Sequence, residues 1–316
     1  MPWTEEVFNR EYARQFQEKL DRVDVDIVLT SDSNLIAYLD RSNPFAIWTD
    51  TPYAGLIDFY PSYQNLCSET QQQLYNLDRL AFQKCRSIFF ASDWAANIAI
   101  ETYQLSPTKV HVVPFGANLD REPDFETIER QIQSRSQTPY KLLFLGVDWV
   151  RKGGNIALEV AKALNREGIP TELSIAGCQP ITDEPLPDFV NCLGFLDRTK
   201  PNDRQLLDRL FAEAHFFILP SQAECYGHVF CEANASGVPC LATRVGGIPT
   251  IIRDGVNGKT FSLNASISDY CEFICEALST LDRYQALAFS SVREYQIRLN
   301  WSIAAQQVRD ILREQH

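Results

Sequence analysis

Short apolar runs alternate with longer amphipathic segments along most of this 316-residue chain. Apolar runs bounded by polar residues are typical of buried parallel strands, and segments with an apolar stripe at helical spacing are typical of the connecting helices. In the first part of the chain the pattern predicts strands at residues 25–30, 45–49, 87–91 and 110–114, and helices at 4–20, 69–86 and 95–103. The first helix is expected to bury a face that carries Val7, Phe8, Tyr12, Phe16 and Leu20. The alternation predicts a parallel, doubly wound α/β sheet.

A polar, irregular stretch at residues 121–139 separates this part from a second alternating series, and it is predicted to be an interdomain linker with a short helical piece. The second series predicts strands at 142–146, 172–176, 190–193, 215–219 and 238–242, and helices at 155–166, 202–214 and 228–236. From residue 268 the pattern is helical as far as residue 314. The length of the chain is enough for two α/β domains with ample cores.

The densest group of candidate functional residues lies in one stretch of the second series, HFFILPSQAECYGHVFCEANASGVPCLATRVGG at 215–247. Glu224 is predicted to lie in the loop after a buried strand, and Glu232 one turn inside the next helix. Both can face the crevice at the strand ends, where open α/β sheets bind ligands. The helix start offers the amides of Gly227, His228 and Val229 to an anion. Two acids at this spacing are more often solvated residues of a surface loop. Two carboxylates that flank a helix N-terminus, however, suit a ligand with both hydroxyls and phosphates, such as a nucleotide sugar.

The whole string resembles the donor-binding signature of retaining family 4 glycosyltransferases, which have the GT-B architecture of two facing Rossmann-like domains. The matching elements are PS-x2-E-x2-G-x4-E, the segment ASGVP, the G-G-x-P loop from Gly246 to Pro249, and D-G-x2-G from Asp254 to Gly258. The resemblance extends over about residues 25 to 310. It implies an α/β chain with the GT-B fold that binds a nucleoside-diphosphate sugar.

The resemblance also implies roles for individual residues. Glu232 matches the glutamate that binds the ribose hydroxyls, and Glu224 matches the one that contacts the donor sugar near the reacting carbon. Residues 140–300 are expected to bind the nucleotide sugar, and residues 1–120 to form an acceptor-side domain onto which the last helix, 301–316, packs back. The opening portion of the family, with its Gly-rich loop after the first strand, has no match here. The first domain is therefore expected to be shortened, as a natural short form or through a late start codon.

Arg151 and Lys152 are predicted to follow a buried strand, against Gly153 and Gly154, which let the backbone approach a ligand. Two cations at this place can hold a diphosphate and stabilise the charge that grows on it as the glycosidic bond breaks. The alternative is that the two residues are a solvent-exposed basic pair with no role in binding. Family members usually have Arg directly after the strand glycine and Lys five residues later. Here Val147 takes the first place and Lys152 the second, so Arg151 is the candidate replacement.

Four further residues are candidates with less specific signals. Gly146, which ends a predicted strand, and Leu196, which follows one, complete the expected donor contacts. Asp50 ends a strand where many relatives have a histidine, and it either orients a sugar hydroxyl or begins the turn before Thr51. His228 lies beside the donor loop, where a direct sugar contact and a packing role are equally open.

Composition excludes several classes of protein. The net charge of −12 argues against a nucleic-acid partner, although peripheral membrane contact through a local basic patch stays open. No stretch approaches eighteen apolar residues and the chain begins with a charged segment, so a cytoplasmic location is expected. The DxD pattern at 24–26 leads into a strand rather than ending one, and the GKT at 258–260 lacks the first glycine of a phosphate loop. No metal and no cofactor are therefore expected.

The resemblance, together with the lack of a metal motif, implies a retaining, metal-independent glycosyltransferase. A non-catalytic nucleotide-sugar-binding protein, or a subunit that needs a partner for transfer, is the alternative. A nicotinamide oxidoreductase would share the sheet type, but the G-x-G-x-x-G turn that it needs is absent from the sequence.

Overall fold

The computed structural model of the protein describes residues 4–40 and 44–314. Its contacts divide the chain into two compact units. The first unit comprises the residues up to Pro114 and those from Ala305 onward, and the second comprises Phe115–Ala304. Each unit has its own parallel sheet, which confirms the α/β class predicted from the alternation of runs.

The first unit is built on a four-stranded sheet, and all pairs of neighbouring strands are parallel. Its strands, in sheet order, are β1 (Val28–Thr30), β2 (Phe45–Thr49), β3 (Cys85–Phe90) and β4 (Val110–Val112). Its helices are α1 (Glu6–Leu20), α2 (Tyr53–Leu56), α3 (Ser68–Lys84) and α4 (Asp93–Tyr103). The inner strands are apolar because helices cover both faces, and the side chains of Ile47, Phe89 and Phe90 are fully buried.

The face of α1 agrees with the prediction only in part, since Leu20 is buried and Phe16 packs against the core. Val7 is 75% exposed, and Phe8 and Tyr12 also belong to the exposed residues, whereas Asn9 and Ala13 are buried. Asn9 can be buried because its side-chain amide donates to the carbonyl of Glu5 at 3.0 Å. The apolar pattern therefore identifies the buried face only in the second half of this helix.

The second unit has a six-stranded parallel sheet. In chain order its strands are β5 (Tyr140–Leu145), β6 (Thr171–Ala176), β7 (Val190–Gly194), β8 (Phe216–Leu219), β9 (Cys240–Thr243) and β10 (Gly258–Phe261). Its helices are α5 (Phe125–Ser134), α6 (Gly154–Arg166), α7 (Pro201–Glu213), α8 (His228–Ala235), α9 (Ile248–Ile251), α10 (Ile267–Ala277) and α11 (Leu281–Arg298). The last helix, α12 (Trp301–Glu314), begins in the second unit and is counted with the first from Ala305. The end of the expected helix 301–316, residues 315 and 316, lies outside the described residues.

The order of the strands determines where a ligand can bind in the second unit. The sheet runs β10-β9-β8-β5-β6-β7, so the chain first adds strands on one side of β5 and then returns to the other side with β8. The connections therefore diverge between β5 and β8. In an open parallel sheet, such a switch point leaves a crevice outside the carboxyl ends of the two strands.

The boundaries of the units differ from the expected ranges. The first unit ends at Pro114 rather than near residue 120, and residues 121–139, predicted to be a linker, are part of the second unit. Arg135 shows why. Its guanidinium is buried and donates to the carbonyls of Ser236 and Gly237, at 2.8 and 2.7 Å, and to the carbonyl of Ala212 at 3.1 Å. A segment tied to three backbone carbonyls by a charged group is an integral part of the unit.

Within residues 4–40 and 44–314, no helix is long and apolar enough to cross a membrane.

Candidate functional site

The loops that follow β5 and β8 lie against each other at the switch point. The amide of Gln222 donates to the carbonyl of Arg151 at 2.7 Å. Gly153 packs so closely that an added Cβ would lie 2.1 Å from the carbonyl oxygen of Pro220, and its φ is +75°. Only glycine fits this position, because a side chain would separate the loops and strain the backbone. The close packing brings Arg151 and Lys152 to the side of the loop that carries Glu224.

Lys152 and Glu224 form an ion pair between these two loops. The ammonium of Lys152 donates to the carboxylate of Glu224, and the two side chains are only 12% and 10% exposed. Gly146 makes room for the lysine, because a Cβ there would lie 3.0 Å from Cγ of Lys152. Two residues predicted to contact the diphosphate and the sugar are thus in direct contact, 72 positions apart in the chain. Their partly dehydrated charges balance each other.

The loop after β9 supports Glu224 from the other side. The amide of Gly247 donates to the carbonyl oxygen of Glu224 at 3.1 Å. The G-G-x-P segment, which the sequence identifies only as a matching motif, therefore fixes the backbone that carries the glutamate. Glu224 thus contacts the loops after β5 and β9 from its own loop after β8.

Arg151 reaches the same loops with its guanidinium. It donates to the carbonyl of Ala223 at 2.9 Å and lies 3.5 Å from the carboxylate of Asp148. Its side chain is 17% exposed and that of Lys152 is 12% exposed, so the two residues are not a solvent-exposed basic pair. A contact between Arg151 and a diphosphate stays a prediction.

Helix α8 begins at this loop with a glycine at its N-cap. Gly227 has φ +96°, and a Cβ there would lie 2.7 Å from the ring of Phe230. In the described part of the chain, no side chain caps this helix end. The first amides of α8, those that the sequence assigns to an anion, therefore begin at a turn that only glycine adopts without strain. Val229 lies in the first turn, half-buried.

Glu232 is buried in α8, but its partner was not anticipated from the sequence. Both of its carboxylate oxygens accept hydrogen bonds from Arg198, which lies in the segment between β7 and α7. The side chain of Glu232 is 5% exposed and that of Arg198 is 46% exposed. Arg198 follows a strand of the same sheet, only two positions after the predicted donor residue Leu196. That position was the signal in the sequence, but an arginine in a polar loop did not stand out.

His228 lies in a cluster of aromatic rings. Its imidazole stacks on Phe115 with the centroids 5.4 Å apart, and it also contacts Tyr226 and Trp301. Nδ1 lies 3.2 Å from the carbonyl of Gly116, which can only accept, so Nδ1 carries the proton and donates. The packing role of His228 is thereby established, while a direct contact with a sugar stays a prediction.

Asp50 belongs to the first unit, where it directly follows β2 and is half-buried. The loop after it is fixed by the buried carboxyl group of Asp78, which accepts from the amide of Tyr53 at 2.6 Å and from the hydroxyl of Tyr103 at 2.9 Å. A role for Asp50 toward a sugar hydroxyl stays a prediction. Across the described ranges of both units, no group of three or more His, Cys, Asp or Glu side chains is arranged to hold a metal ion.

Comparison with known proteins finds a family match within the second unit. Residues 139–280 match the model of the family described as glycosyl transferases group 1. D-inositol 3-phosphate glycosyltransferase of Xylanimonas cellulosilytica is 27% identical over 226 residues, which are 68% of this chain and 54% of that protein. Sulfoquinovosyl transferase of Arabidopsis thaliana is 27% identical over 189 residues, 60% of this chain and 36% of that protein. The chain thus spans about half or less of the length of these curated relatives.

Solved structures show the same fold over nearly the whole chain. Anabaena HepE in complex with UDP and glucose superposes with a TM-score of 0.67 at 15% identity, covering 95% of this chain and 80% of that one. WaaG, a glycosyltransferase involved in lipopolysaccharide biosynthesis, gives 0.63 at 19% identity and covers 96% and 82%. These neighbours have two Rossmann-like domains, the GT-B fold. The second unit thus matches the group 1 glycosyltransferase family over residues 139–280, and the chain has the GT-B fold over nearly its whole length.

Proposed function

We propose that this protein transfers a sugar from a nucleoside-diphosphate sugar to an acceptor hydroxyl, with retention of the anomeric configuration and without a metal ion or other cofactor. The observation that carries the proposal is the contact between Lys152 and Glu224 beside the start of α8, at the switch point of the sheet. This contact brings a cation, an acid and the first amides of α8 together at the place where a parallel sheet binds its ligand.

The diphosphate is assigned to Lys152, Arg151 and the first amides of α8. As the bond between the sugar and the diphosphate breaks, negative charge grows on the departing phosphate oxygen. Cations and aligned amides that are already in position stabilise this charge without reorganisation, which is the main way in which a preorganised site lowers a barrier. The low exposure of Lys152 and Arg151 supports the assignment, because electrostatic attraction is stronger where water is partly excluded.

The sugar and the ribose are assigned to the two carboxylates. Glu224 is proposed to hold the donor sugar together with the amides of residues 227–229, and Glu232 to accept hydrogen bonds from the ribose hydroxyls. Gly146, Gly153 and Leu196 are proposed to contact the donor through the backbone. Glycine suits such contacts because a ligand can approach its backbone closely.

In the proposed reaction, the bond from the anomeric carbon to the phosphate oxygen breaks with both electrons leaving on oxygen, through an oxocarbenium-like state. The acceptor hydroxyl attacks the same face of the sugar, and its proton passes to the departing phosphate oxygen. Atoms and charges balance without a protein base. Asp50 is proposed to orient a sugar hydroxyl.

The proposal is tested with a panel of donors. UDP-glucose is the first choice, because structures of HepE contain UDP and UDP-glucose, and the ADP- and GDP-sugars are tested beside it. We expect one donor to be consumed in the presence of an acceptor, and NMR of the product to show the anomeric configuration of the donor. Activity should be unchanged in EDTA.

Three results would count against the proposal in different ways. Inversion of the configuration excludes the retaining mechanism. Loss of transfer in EDTA that manganese restores excludes the metal-free mechanism. Binding of a donor with no turnover for any acceptor identifies a nucleotide-sugar-binding protein instead of an enzyme.

A further inference from the structure

Glu232 and Arg198 form a bidentate ion pair. One terminal nitrogen of Arg198, Nη1, donates to Oε1 of Glu232 at 3.2 Å, and the other, Nη2, donates to Oε2. Nη1 also lies 3.2 Å from the carbonyl of Asn118. The carboxylate is almost fully buried and the guanidinium is nearly half exposed. The arginine therefore covers the acid from the side that faces solvent.

This contact has the same form as the contact that a ribose would make. A guanidinium presents two neighbouring N–H donors in a fixed fork, which matches the two oxygens of a carboxylate. A 2′,3′-diol presents two neighbouring O–H donors to the same two oxygens. Because the rest of Glu232 is buried in α8, both ligands must approach from the covered side. The guanidinium and the diol compete for one place.

We infer that Arg198 is a latch that closes Glu232 and must turn away when a ribonucleotide binds. The inference rests on the proposed function and adds to it a residue that determines selectivity for the ribose. A ligand that replaces the guanidinium must supply two donors, because a single hydroxyl leaves one oxygen of a buried carboxylate unpaired. Sites built to hydrogen-bond a hydroxyl strongly reject analogues that lack it.

The latch is proposed to open by rotation of the Arg198 side chain alone. The backbone around Arg198 is held in place by hydrogen bonds that do not involve Glu232. The guanidinium of Arg204 donates to the carbonyl of Arg198 at 3.3 and 3.4 Å. The amide and the hydroxyl of Thr199 donate to the carboxylate of Asp197, at 3.0 and 2.7 Å. Binding therefore requires no rearrangement of the segment between β7 and α7.

The test compares UDP with 2′,3′-dideoxy-UDP by calorimetry, with the ADP and GDP pairs run in parallel. Only UDP has to displace Arg198 from Glu232. In the native protein, the free energy spent in breaking this ion pair therefore reduces the ratio of the affinities for UDP and dideoxy-UDP. In Arg198→Met that loss disappears. We expect the preference for UDP over dideoxy-UDP to rise about tenfold, which corresponds to a pair worth about 1.4 kcal/mol. Taking the ratio removes the general effect of a lost positive charge on diphosphate binding.

Three variants make the result specific. Arg198→Lys keeps the charge but not the fork, so its preference should lie between those of the native protein and Arg198→Met, and it serves as the folded alternative if Met at this position unfolds the unit. Glu232→Gln should lose most of the preference. Arg209→Met removes an exposed arginine from α7 and should leave the preference at the native value.

The outcomes separate the latch from the donor proposal. Ribonucleotide binding with an unchanged or reduced preference in Arg198→Met and Arg198→Lys overturns the latch alone, because it means that Arg198 shares Glu232 with the ribose. Failure of the native protein to bind UDP, ADP or GDP overturns both the latch and the donor proposal.

Discussion

At the scale of single residues, the candidate site is organised by pairs of opposite charge. Glu224 is paired with Lys152 and Glu232 with Arg198, and in each pair the acid is nearly buried. Breaking a buried pair by removing one partner costs far more than the pair contributes, because an uncompensated charge remains. The residues proposed to bind the donor therefore also stabilise the unit.

We expect Lys152→Met to lower the free energy of unfolding by about 3 kcal/mol, because it leaves the carboxylate of Glu224 buried without its cation. The double variant Lys152→Met/Glu224→Gln should recover part of this loss. The control is Lys162→Met in α6, whose pair with Glu159 is 26% and 44% exposed and contributes at most about 1 kcal/mol. Denaturant unfolding measures all three, and equal losses for Lys152→Met and Lys162→Met would mean that the Lys152 pair is no more than a surface contact.

At the scale of elements, helix α8 is held at both ends by residues from other parts of the chain, in addition to its N-cap glycine. At its N-terminus the loop after β9 holds Glu224. At its C-terminus the guanidinium of Arg135 meets the carbonyls of Ser236 and Gly237 and also bonds to Tyr284 of α11 at 2.8 Å. A cation at a helix C-terminus satisfies free carbonyls and complements the negative end of the helix dipole. Arg135 thus positions the helix that carries Glu232.

We expect Arg135→Met to lower the free energy of unfolding by about 3 kcal/mol, since hydrogen bonds to charged groups contribute about 1.5–3 kcal/mol each and the freed carbonyls stay buried. Arg130→Met is the matched control, because Arg130 lies in α5, exposed, and its side chain donates to Glu126 and Thr127 of the same helix. Its effect should stay within about 0.5 kcal/mol. Thermal unfolding compares the two variants, and a small effect of Arg135→Met would show that α8 does not depend on this contact.

At the scale of the whole molecule, each unit contains a buried titratable group of unusual pKa. In the first unit, burial raises the pKa of Asp78 from 3.8 to about 7, against the opposing effect of the hydrogen bonds from Ser33, Tyr103 and Tyr53. In the second unit, burial lowers the pKa of His215 from 6.5 to about 4. The ring of His215 is neutral, with Nδ1 accepting from the amide of Lys141 at 3.0 Å and Nε2 donating to the carbonyl of Ser136 at 2.7 Å.

The two groups give opposite pH dependence. Folded Asp78 holds its proton up to about pH 7, whereas the unfolded acid releases it near 3.8, so the first unit loses stability as pH rises through that window. Unfolded His215 takes up a proton below 6.5 and the folded residue only near 4, so the second unit loses stability as pH falls through this range. Each proton contributes a slope of at most about 1.4 kcal/mol per pH unit.

We therefore expect the difference in stability between the native protein and Asp78→Asn to change with pH between about 5 and 7, with the variant relatively more stable at the higher pH. His215→Gln should show the reverse trend, with the variant relatively more stable at the lower pH. Calorimetry of the three proteins across this range measures both trends. A difference that does not vary with pH would mean that the pKa of the group is not shifted in the folded protein.

The sequence by itself determined the elements and the positions of the candidate acids. Parallel strands covered on both faces must be apolar, so runs such as 45–49 reveal β2 with its observed bounds. The glycines at 153 and 227 mark turns where backbones approach closely, and both lie where the motifs indicated. The short strand β10 was the main element missed, because its segment, GKTF, is half polar.

Only the tertiary structure decided which side chains meet. The partners of Glu224 and Glu232 lie 72 and 34 positions away in the chain, and those of Arg135 up to 149 positions away. The periodicity of apolar residues indicates which positions are buried. It does not reveal whether a lysine or arginine in a loop is solvated or paired with an acid, because the neighbouring sequence is the same in both cases. The order of the strands brings the loops after β5, β8 and β9 together, and that order is a property of the folded sheet. The same holds for the first half of α1, where Asn9 is buried while the neighbouring apolar residues Val7 and Phe8 are exposed.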